Sequence, residues 1–195
     1  MDQINQNAGF ASSKPEGKTE RLSARHCALL IYDLTQGMTE HEPSVPPAIP
    51  GLCRLILRSR EAGVILSYAL PHGIDLRSPP IMDTLPRVPT DLVFSHPQTG
   101  AFYQTGFESC LAQSGRNVLL IAGMAIDRGC NTTAREALQR GLRTIIVQDA
   151  CFTRDIKASP VGQVSMEEIK RVHLASLYRI GVELWTMDEI CLALA

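Results

Sequence analysis

The hydrophobic positions of this chain change repeatedly between continuous runs and helical spacing. The segment Cys27 to Asp33 is an unbroken apolar run that ends in an acid, which is typical of a strand buried on both faces of a parallel sheet. Residues 51–62 instead repeat their apolar side chains every three or four positions. Gly63 follows them directly, as a residue that ends a helix would.

Extended along the chain, this pattern predicts strands that alternate with helices. The predicted strands are 27–33, 64–70, 91–95, 117–122, 144–148 and 182–185, and the predicted helices are 51–62, 103–113, 130–140, 165–179 and 187–194. Segments 35–50 and 71–89, which are rich in proline, are expected to be loops. Such alternation indicates an α/β fold with a mostly parallel sheet and right-handed connections.

Ligands of such sheets bind beyond the carboxyl ends of the strands. That rule selects five short segments of this chain as candidate site positions, before any single residue is considered. They are 33–35, 70–72, 95–102, 123–130 and 149–155.

Composition and charge narrow the function classes. The net charge is −1 and the basic residues form no run, so the sequence favours neither nucleic acid nor an anionic membrane as a partner. No apolar run approaches the roughly 20 residues that span a bilayer. We expect a flexible polar arm over 1–24, one domain over 25–195, and a small-molecule substrate.

The six cysteines form no CxxC pair and no cluster with histidine. They are therefore expected to be reduced thiols of a cytoplasmic protein, with no metal site. The glycines form neither a P-loop nor a GxGxxG motif, so no nucleotide cofactor is expected, and none of any other kind is implied.

Four segments near the strand ends carry a recognisable pattern. They are Ala28-Leu-Leu-Ile-Tyr-Asp-Leu34, Phe94-Ser-His-Pro-Gln-Thr-Gly-Ala-Phe102, residues 115–134 and residues 141–150. Together they resemble the isochorismatase-like hydrolase superfamily over roughly residues 27–190. The resemblance implies a three-layer α/β/α domain with a six-stranded sheet in the order 3-2-1-4-5-6. It also implies a homodimer or homotetramer, and it makes Asp33 a catalytic residue.

The chain departs from the family pattern at two catalytic positions. The position of the family's nucleophilic cysteine falls on Gly129, and Cys130 is turned away from it by ~100° on a helix. The position of the catalytic lysine falls on His96. The branch of the family that hydrolyses isochorismate and related vinyl ethers also lacks the cysteine, and this chain looks most like that branch. Where that branch has a glutamine, this chain has Leu70.

The remaining residues are suited to acid catalysis. Burial at a strand end disfavours a charged carboxylate, so Asp33 is expected to hold a proton that it can give to a substrate. His96 could orient that acid or relay its proton, and the backbone N–H groups near Gly129 could bind an anion. The segment Met124-Ala125-Ile126 resembles a family segment that holds a cis peptide bond. The candidate substrate-binding residues are Leu70, His72, Phe102, Met124, Ala125, Arg128, Gly129 and Cys130.

Three functions therefore stay open at this point. The leading hypothesis is general acid catalysis by Asp33, with His96 in support, on a small carboxylated metabolite of vinyl ether, imine or acetal type, in secondary metabolism. The second is an amide or C–N hydrolase that uses Cys130 as its nucleophile. The third is a binding domain without catalysis, whose pocket would be filled by Met124, Arg128 or Phe102.

Overall fold

A computed structural model describes residues 21–39, 43–76, 81–157, 160 and 162–194. A 3₁₀ turn at Ala24–His26 precedes the first strand. The strands are β1 (Cys27–Tyr32), β2 (Ile65–Pro71), β3 (Leu92–His96), β4 (Val118–Met124), β5 (Arg143–Phe152) and β6 (Glu183–Trp185). The helices are α1 (Gln36–Thr39), α2 (Val45–Ala62), α3 (Phe107–Gln113), α4 (Gly129–Gln139), α5 (Met166–Arg179) and α6 (Met187–Ala193).

The six strands form one parallel sheet in the order β3-β2-β1-β4-β5-β6. This is the predicted α/β architecture, and the predicted strand order is confirmed. Strand β1 lies at the centre, with Tyr32 opposite Ala69 of β2 and opposite Gly123 of β4. The carboxyl ends of β1, β3 and β4 consequently meet at one edge of the sheet.

Side chains of the sheet alternate between two apolar layers, as the period of a strand requires. Leu29 and Ile31 of β1 pack in the layer that contains α2 and α6. Leu30 and Tyr32 point the other way, into the layer that contains α3, α4 and α5. All six residues of β1 are buried, which explains why the strand reads as a continuous apolar run.

Three elements differ from the prediction by four or more residues at one end, and α1 lies in the segment 35–50 that was expected to be a loop. Helix α2 begins at Val45 rather than Gly51, because prolines fit the first helical turn, where N–H groups have no acceptor within the helix. Helix α3 begins at Phe107 rather than Tyr103, since the Thr105 hydroxyl binds the Ala101 carbonyl and holds the preceding residues in a turn. Strand β5 continues to Phe152, beyond a register shift in its pairing with β4.

The predicted arm lies mostly outside the described residues, which begin at residue 21. Its described end packs on the domain: Leu22 is buried, and its N–H donates to the Ala193 carbonyl at 2.9 Å. Among the described helices, none combines the length and apolar character needed to cross a bilayer.

Candidate active site

A cavity of about 420 Å³ opens where the carboxyl ends of β1, β3 and β4 meet. It lies where the strand-end rule places the ligand site. The residues that line it are Tyr32, Asp33, Pro71, His72, His96, Pro97, Gln98, Thr99, Met124, Ala125, Arg128 and Gly129.

Asp33 follows β1 directly and reaches the cavity through an unusual backbone conformation. Its φ is 49°, in the left-handed region that aspartate enters more readily than most residues. Its N–H donates to the Ala69 carbonyl at 3.0 Å, so the turn remains tied to β2. The residue is only 7% exposed, which leaves its carboxyl dependent on protein partners rather than on water.

His96 is the last residue of β3 and supplies the partner of that carboxyl. Its Nε2 lies 2.9 Å from Asp33 Oδ1, and its Nδ1 lies 2.8 Å from the Gln98 carbonyl oxygen. A carbonyl oxygen only accepts, so Nδ1 carries a proton. A neutral His96 therefore has a bare Nε2, which needs a proton from Asp33 to form the observed contact. The alternative with the same number of protons is imidazolium with carboxylate, so in either case Asp33 and His96 share one transferable proton.

Tyr32 completes this buried network, and sequence reasoning did not single it out. Its hydroxyl lies 2.7 Å from the Thr99 carbonyl oxygen and 3.2 Å from His96 Nδ1. The tyrosine and histidine rings are stacked, with centroids 4.7 Å apart and planes 23° apart. The one available signal was the strand period, which sends Tyr32 to the same face as α4.

Gly129 begins α4 and lies directly against the Tyr32 ring. A Cβ at position 129 would come within 1.9 Å of Cε1 and 2.2 Å of Cζ of that ring. The Tyr32 side chain therefore leaves room for glycine alone. Gly123, the β4 residue opposite Tyr32, is confined in the same way, because a Cβ there would meet the Tyr32 carbonyl oxygen at 2.0 Å. Tyr32 thus occupies the volume that a side chain at 129 would need.

The wall next to Gly129 is formed by the turn between β4 and α4. The peptide bond between Met124 and Ala125 is cis, in agreement with the expectation for this segment. Both residues are buried and line the cavity. The Ala125 carbonyl accepts from the N–H groups of Arg128 and Cys130, at 3.0 and 3.1 Å.

Two cationic or titratable side chains lie at the mouth of the cavity. The Arg128 side chain is 58% exposed and stands 3.9 Å from Asp127, which is too long for a strong ion pair. Asp127 itself accepts a hydrogen bond from the Thr153 hydroxyl. His72, just after β2, is exposed and also lines the cavity. The Arg128 guanidinium therefore places a cation at the mouth, with the Asp127 carboxylate 3.9 Å away.

Three of the predicted binding residues lie in the core rather than in the cavity lining. Leu70 is 1% exposed and packs in the α2 layer. Phe102 packs against Phe107, at 5.3 Å between ring centroids, and beneath the Arg140 guanidinium. Cys130 is fully buried in the α4 layer. The rotation of ~100° between neighbouring positions of a helix, here Gly129 and Cys130 of α4, accounts for the last of these placements.

The Cys130 thiol is in an environment that suppresses the thiolate. A hydrogen bond with Cys151 and burial both raise the pKa of Cys130 well above its usual value. Reactive cysteines need the opposite, an accessible site that lowers the pKa. Cys27 is similar, since burial raises its pKa to about 11. All six cysteines are free thiols.

The described part of the chain contains no group of three His, Cys, Asp or Glu side chains arranged to hold a metal ion.

Comparison of the sequence with known protein families identifies the family of this chain. The family model described as Isochorismatase domain matches residues 27–171, a range that contains every residue lining the cavity. The chain belongs to the isochorismatase family. The resemblance inferred from the strand-end segments is thereby confirmed.

Two curated relatives illustrate the range of this family. Enterobactin synthase component B of Escherichia coli K12 is 37% identical over 77 residues, which cover 38% of this chain and 27% of the relative. Streptothricin hydrolase of Streptomyces noursei is 29% identical over 143 residues, or 68% of this chain and 52% of the relative. The chain thus spans between about a quarter and a half of the length of these relatives.

Solved structures support the fold. The crystal structure of a cysteine hydrolase from Pseudomonas syringae pv. phaseolicola matches with a TM-score of 0.82 and covers 89% of this chain and 94% of that one. Its sequence identity is 17%, so the likeness establishes the family fold and not a shared reaction.

Seven of the ten predicted site residues come together around the cavity. They are Asp33, His72, His96, Met124, Ala125, Arg128 and Gly129. Tyr32 and the Gln98 and Thr99 carbonyls join them through hydrogen bonds and were not among the predicted residues.

Proposed function

We propose that this member of the isochorismatase family is a hydrolase that works by general acid catalysis, without a covalent nucleophile. The observation that carries the proposal is the contact of 2.9 Å between Asp33 Oδ1 and His96 Nε2, combined with the donation of Nδ1 to the Gln98 carbonyl. Together these contacts support one transferable proton at the wall of an open cavity.

The chemistry that fits such a proton is the hydrolysis of a vinyl ether. The proton shared by Asp33 and His96 passes to the terminal carbon of the C=C bond, whose π electrons form the new C–H bond. The ether oxygen stabilises the resulting oxocarbenium ion. Water adds to that cation and returns one proton to the Asp33–His96 pair, and the hemiketal then collapses to a ketone and an alcohol. Imines and acetals would use the same proton at nitrogen or oxygen.

The substrate is expected to be small and to carry a carboxylate. Arg128 has no close ion pair within the described residues, and its side chain stands at the mouth beside His72. A guanidinium in this position is suited to a planar carboxylate, because two N–H groups can bind both oxygens. The cavity of about 420 Å³ lies in the usual range for small-molecule sites.

The two alternative functions are disfavoured by particular observations. A cysteine hydrolase would need Cys130 in the cavity, whereas the thiol is fully buried and its pKa is raised by the Cys151 hydrogen bond and by burial. A binding domain without catalysis was expected to have its pocket filled by Met124, Arg128 or Phe102. The cavity is open, Phe102 lies outside it, and Arg128 extends towards solvent.

The decisive experiment is turnover of isochorismate, of small carboxylated imines and amides, and of their methyl esters, in D₂O. Acid catalysis predicts hydrolysis of the carboxylated vinyl ether with one deuterium placed on the carbon that becomes a methyl group. It also predicts a KM for the methyl ester that is roughly 10-fold higher, with the difference lost in Arg128→Gln. Turnover of the amides alone, blocked by a thiol reagent, would overturn the proposal.

The same proposal includes a cytoplasmic setting, a role in secondary metabolism and assembly into a dimer or tetramer. The six free thiols are consistent with a reducing compartment. Light scattering of the purified chain gives the molar mass of the assembly directly.

A further inference from the structure

We propose that Tyr32 is a positioning residue that holds His96 with its proton on Nδ1, so that the transferable proton of the pair lies between Asp33 and Nε2. This inference rests on the proposed function for its catalytic consequence, but its structural content, the tautomer of His96, can be measured on its own.

The argument begins with the direction of the tyrosine hydrogen bond. The hydroxyl has a single proton and two neighbours, the Thr99 carbonyl oxygen at 2.7 Å and His96 Nδ1 at 3.2 Å. The carbonyl is closer and can only accept, so the proton points to Thr99. The lone pairs of the hydroxyl oxygen then face Nδ1 as a second acceptor, beside the Gln98 carbonyl at 2.8 Å.

The surroundings of Nδ1 therefore favour one tautomer. With two acceptors facing it, a bare Nδ1 would be opposed by two oxygen lone pairs, whereas an Nδ1–H satisfies them. The other nitrogen is left to exchange a proton with Asp33. Had the hydroxyl pointed at Nδ1, it would compete with the Gln98 carbonyl by favouring a bare Nδ1, and the proton of the pair would be drawn to Nε2.

The ring of Tyr32 fixes the position of its hydroxyl. One face stacks on the His96 ring, with a centroid separation of 4.7 Å. Its Cε1–Cζ edge lies against Gly129, where even a Cβ would collide. Held between a histidine and a glycine backbone, the ring has little freedom to turn its hydroxyl away from Thr99.

The hydroxyl also keeps its proton over the working range of an enzyme. Burial raises the pKa of Tyr32 far above its usual value, and the charges of Asp33 and Glu136 act in the same direction. Cys130 contributes in that direction as well, while Arg128 opposes it. Tyr32 thus acts as a neutral donor to Thr99 and acceptor from His96.

The test compares Tyr32→Phe with Tyr68→Phe. Phenylalanine at 32 keeps the ring, the stack on His96 and the contact with Gly129, and removes only the hydroxyl. Tyr68 is the matched control, because it is equally buried, lies on the neighbouring strand β2, and its hydroxyl has no hydrogen-bond partner among the described residues. The tautomer of His96 is read from ¹⁵N NMR of protein labelled at histidine, with the signals assigned through His96→Gln.

In the wild type and in Tyr68→Phe we expect the ¹⁵N shift of a protonated nitrogen at His96 Nδ1. In Tyr32→Phe only the Gln98 carbonyl still faces Nδ1, so we expect part of the population to lose the proton at Nδ1, with kcat lowered by roughly 10-fold, KM within about 2-fold and a displaced acid limb of the pH–rate profile. Unchanged ¹⁵N shifts at His96 in Tyr32→Phe would overturn the inference.

The outcomes separate this inference from the proposed function. If the tautomer changes in Tyr32→Phe while no substrate of the panel is turned over by the wild type, the positioning role stands and the proposed reaction fails. If the wild type is active and Tyr32→Phe loses activity with an intact Nδ1–H tautomer, the reaction stands and Tyr32 acts only as packing.

Discussion

Two regions adjoin Tyr32, the polar corner at Asp33 and His96 and the start of α4 at Gly129 and Cys130, and they differ in almost every chemical respect. At the polar corner, each side-chain group has a defined partner: a carboxyl, an imidazole and two backbone carbonyls. At the start of α4 there is a glycine without a side chain and a thiol buried beside another thiol.

The difference shows that two parts of one cavity wall can be held in place by different physical constraints. Buried polar groups are stable only when each is paired, so a substitution at the polar corner that removes a donor or an acceptor leaves its partner unsatisfied. The helix start follows packing rules instead, and the Tyr32 ring fills the space that a side chain at 129 would take. Substitutions at the polar corner should therefore change mainly the kinetic constants, and substitutions at the start of α4 should change mainly the free energy of unfolding.

The largest expected effect is that of Asp33→Asn. The amide is isosteric and can donate to a bare His96 Nε2, so the fold and the contact survive while the transferable proton is lost. We expect kcat/KM to fall by roughly 10³-fold, in the range for loss of a general acid. Steady-state kinetics measure this, with Asp188→Asn, an exposed carboxylate on α6 paired with Arg54, as the control. Retention of more than a tenth of the activity would contradict the assignment.

His96→Gln should have the next largest effect. Glutamine can still meet the Asp33 carboxyl, but it cannot exchange a proton with it, so we expect roughly a 10²-fold loss in kcat. The matched control is His26→Gln, at the opposite end of β1 and outside the cavity lining. The acid limb of the pH–rate profile should also change in the His96 variant. Equal activities of the two variants would show that the histidine serves packing alone.

Gly129→Ala probes the other region, where the expected loss is in stability. The added Cβ would lie 1.9 Å from Tyr32 Cε1, and such overpacking destabilises by about 1–3 kcal/mol. Chemical denaturation gives this difference in the free energy of unfolding. In a Tyr32→Leu background, which lacks the opposing ring, adding Gly129→Ala should lower the free energy of unfolding by much less. If the alanine is tolerated while Tyr32 is present, the two residues are not in contact as described.

The smallest effect on activity is expected for Cys130→Ala. The thiol lies outside the cavity lining, so kcat/KM should stay within about 2-fold, while the free energy of unfolding falls by about 1 kcal/mol for the lost buried atom.

In the wild type, the raised pKa means that the Cys130 thiolate forms only above the usual pH for a cysteine. Alkylation at pH 8 should thus label the partly exposed Cys53, Cys110 and Cys191 before Cys130, as peptide mass spectrometry will show. Fast labelling of Cys130 with loss of activity would restore the cysteine mechanism.

The fold could be predicted from the sequence because strand and helix periods were clear in the central elements. The run Cys27 to Asp33 indicated only a buried strand, and the spacing in residues 51–62 indicated only a helix. The ends of α2 and α3 could not be predicted as well. Pro46 and Pro47 read as loop but fit a first helical turn, and the turn before α3 depends on the Thr105 hydroxyl bond to a specific carbonyl.

The site was predictable as far as the strand-end rule and the resemblance reach. Asp33, His96 and Gly129 all follow from counting along recognisable segments. Tyr32 was hidden because it stands in an apolar run and reads as core. Its contacts with His96 and Gly129 join distant parts of the chain, which no local pattern reports. The exclusion of Phe102 and Leu70 from the cavity likewise depends on packing against neighbouring elements.

The close fit of Tyr32 against Gly129 has an evolutionary consequence. A single codon change that placed cysteine at 129 would introduce a Cβ into an occupied volume, so the new thiol would arrive in a destabilised protein. A route to any side chain at 129 begins instead with a smaller residue at 32, which removes the hydroxyl beside His96. Both orders of substitution pass through a variant that has lost packing or a hydrogen bond, so single substitutions keep glycine at this position.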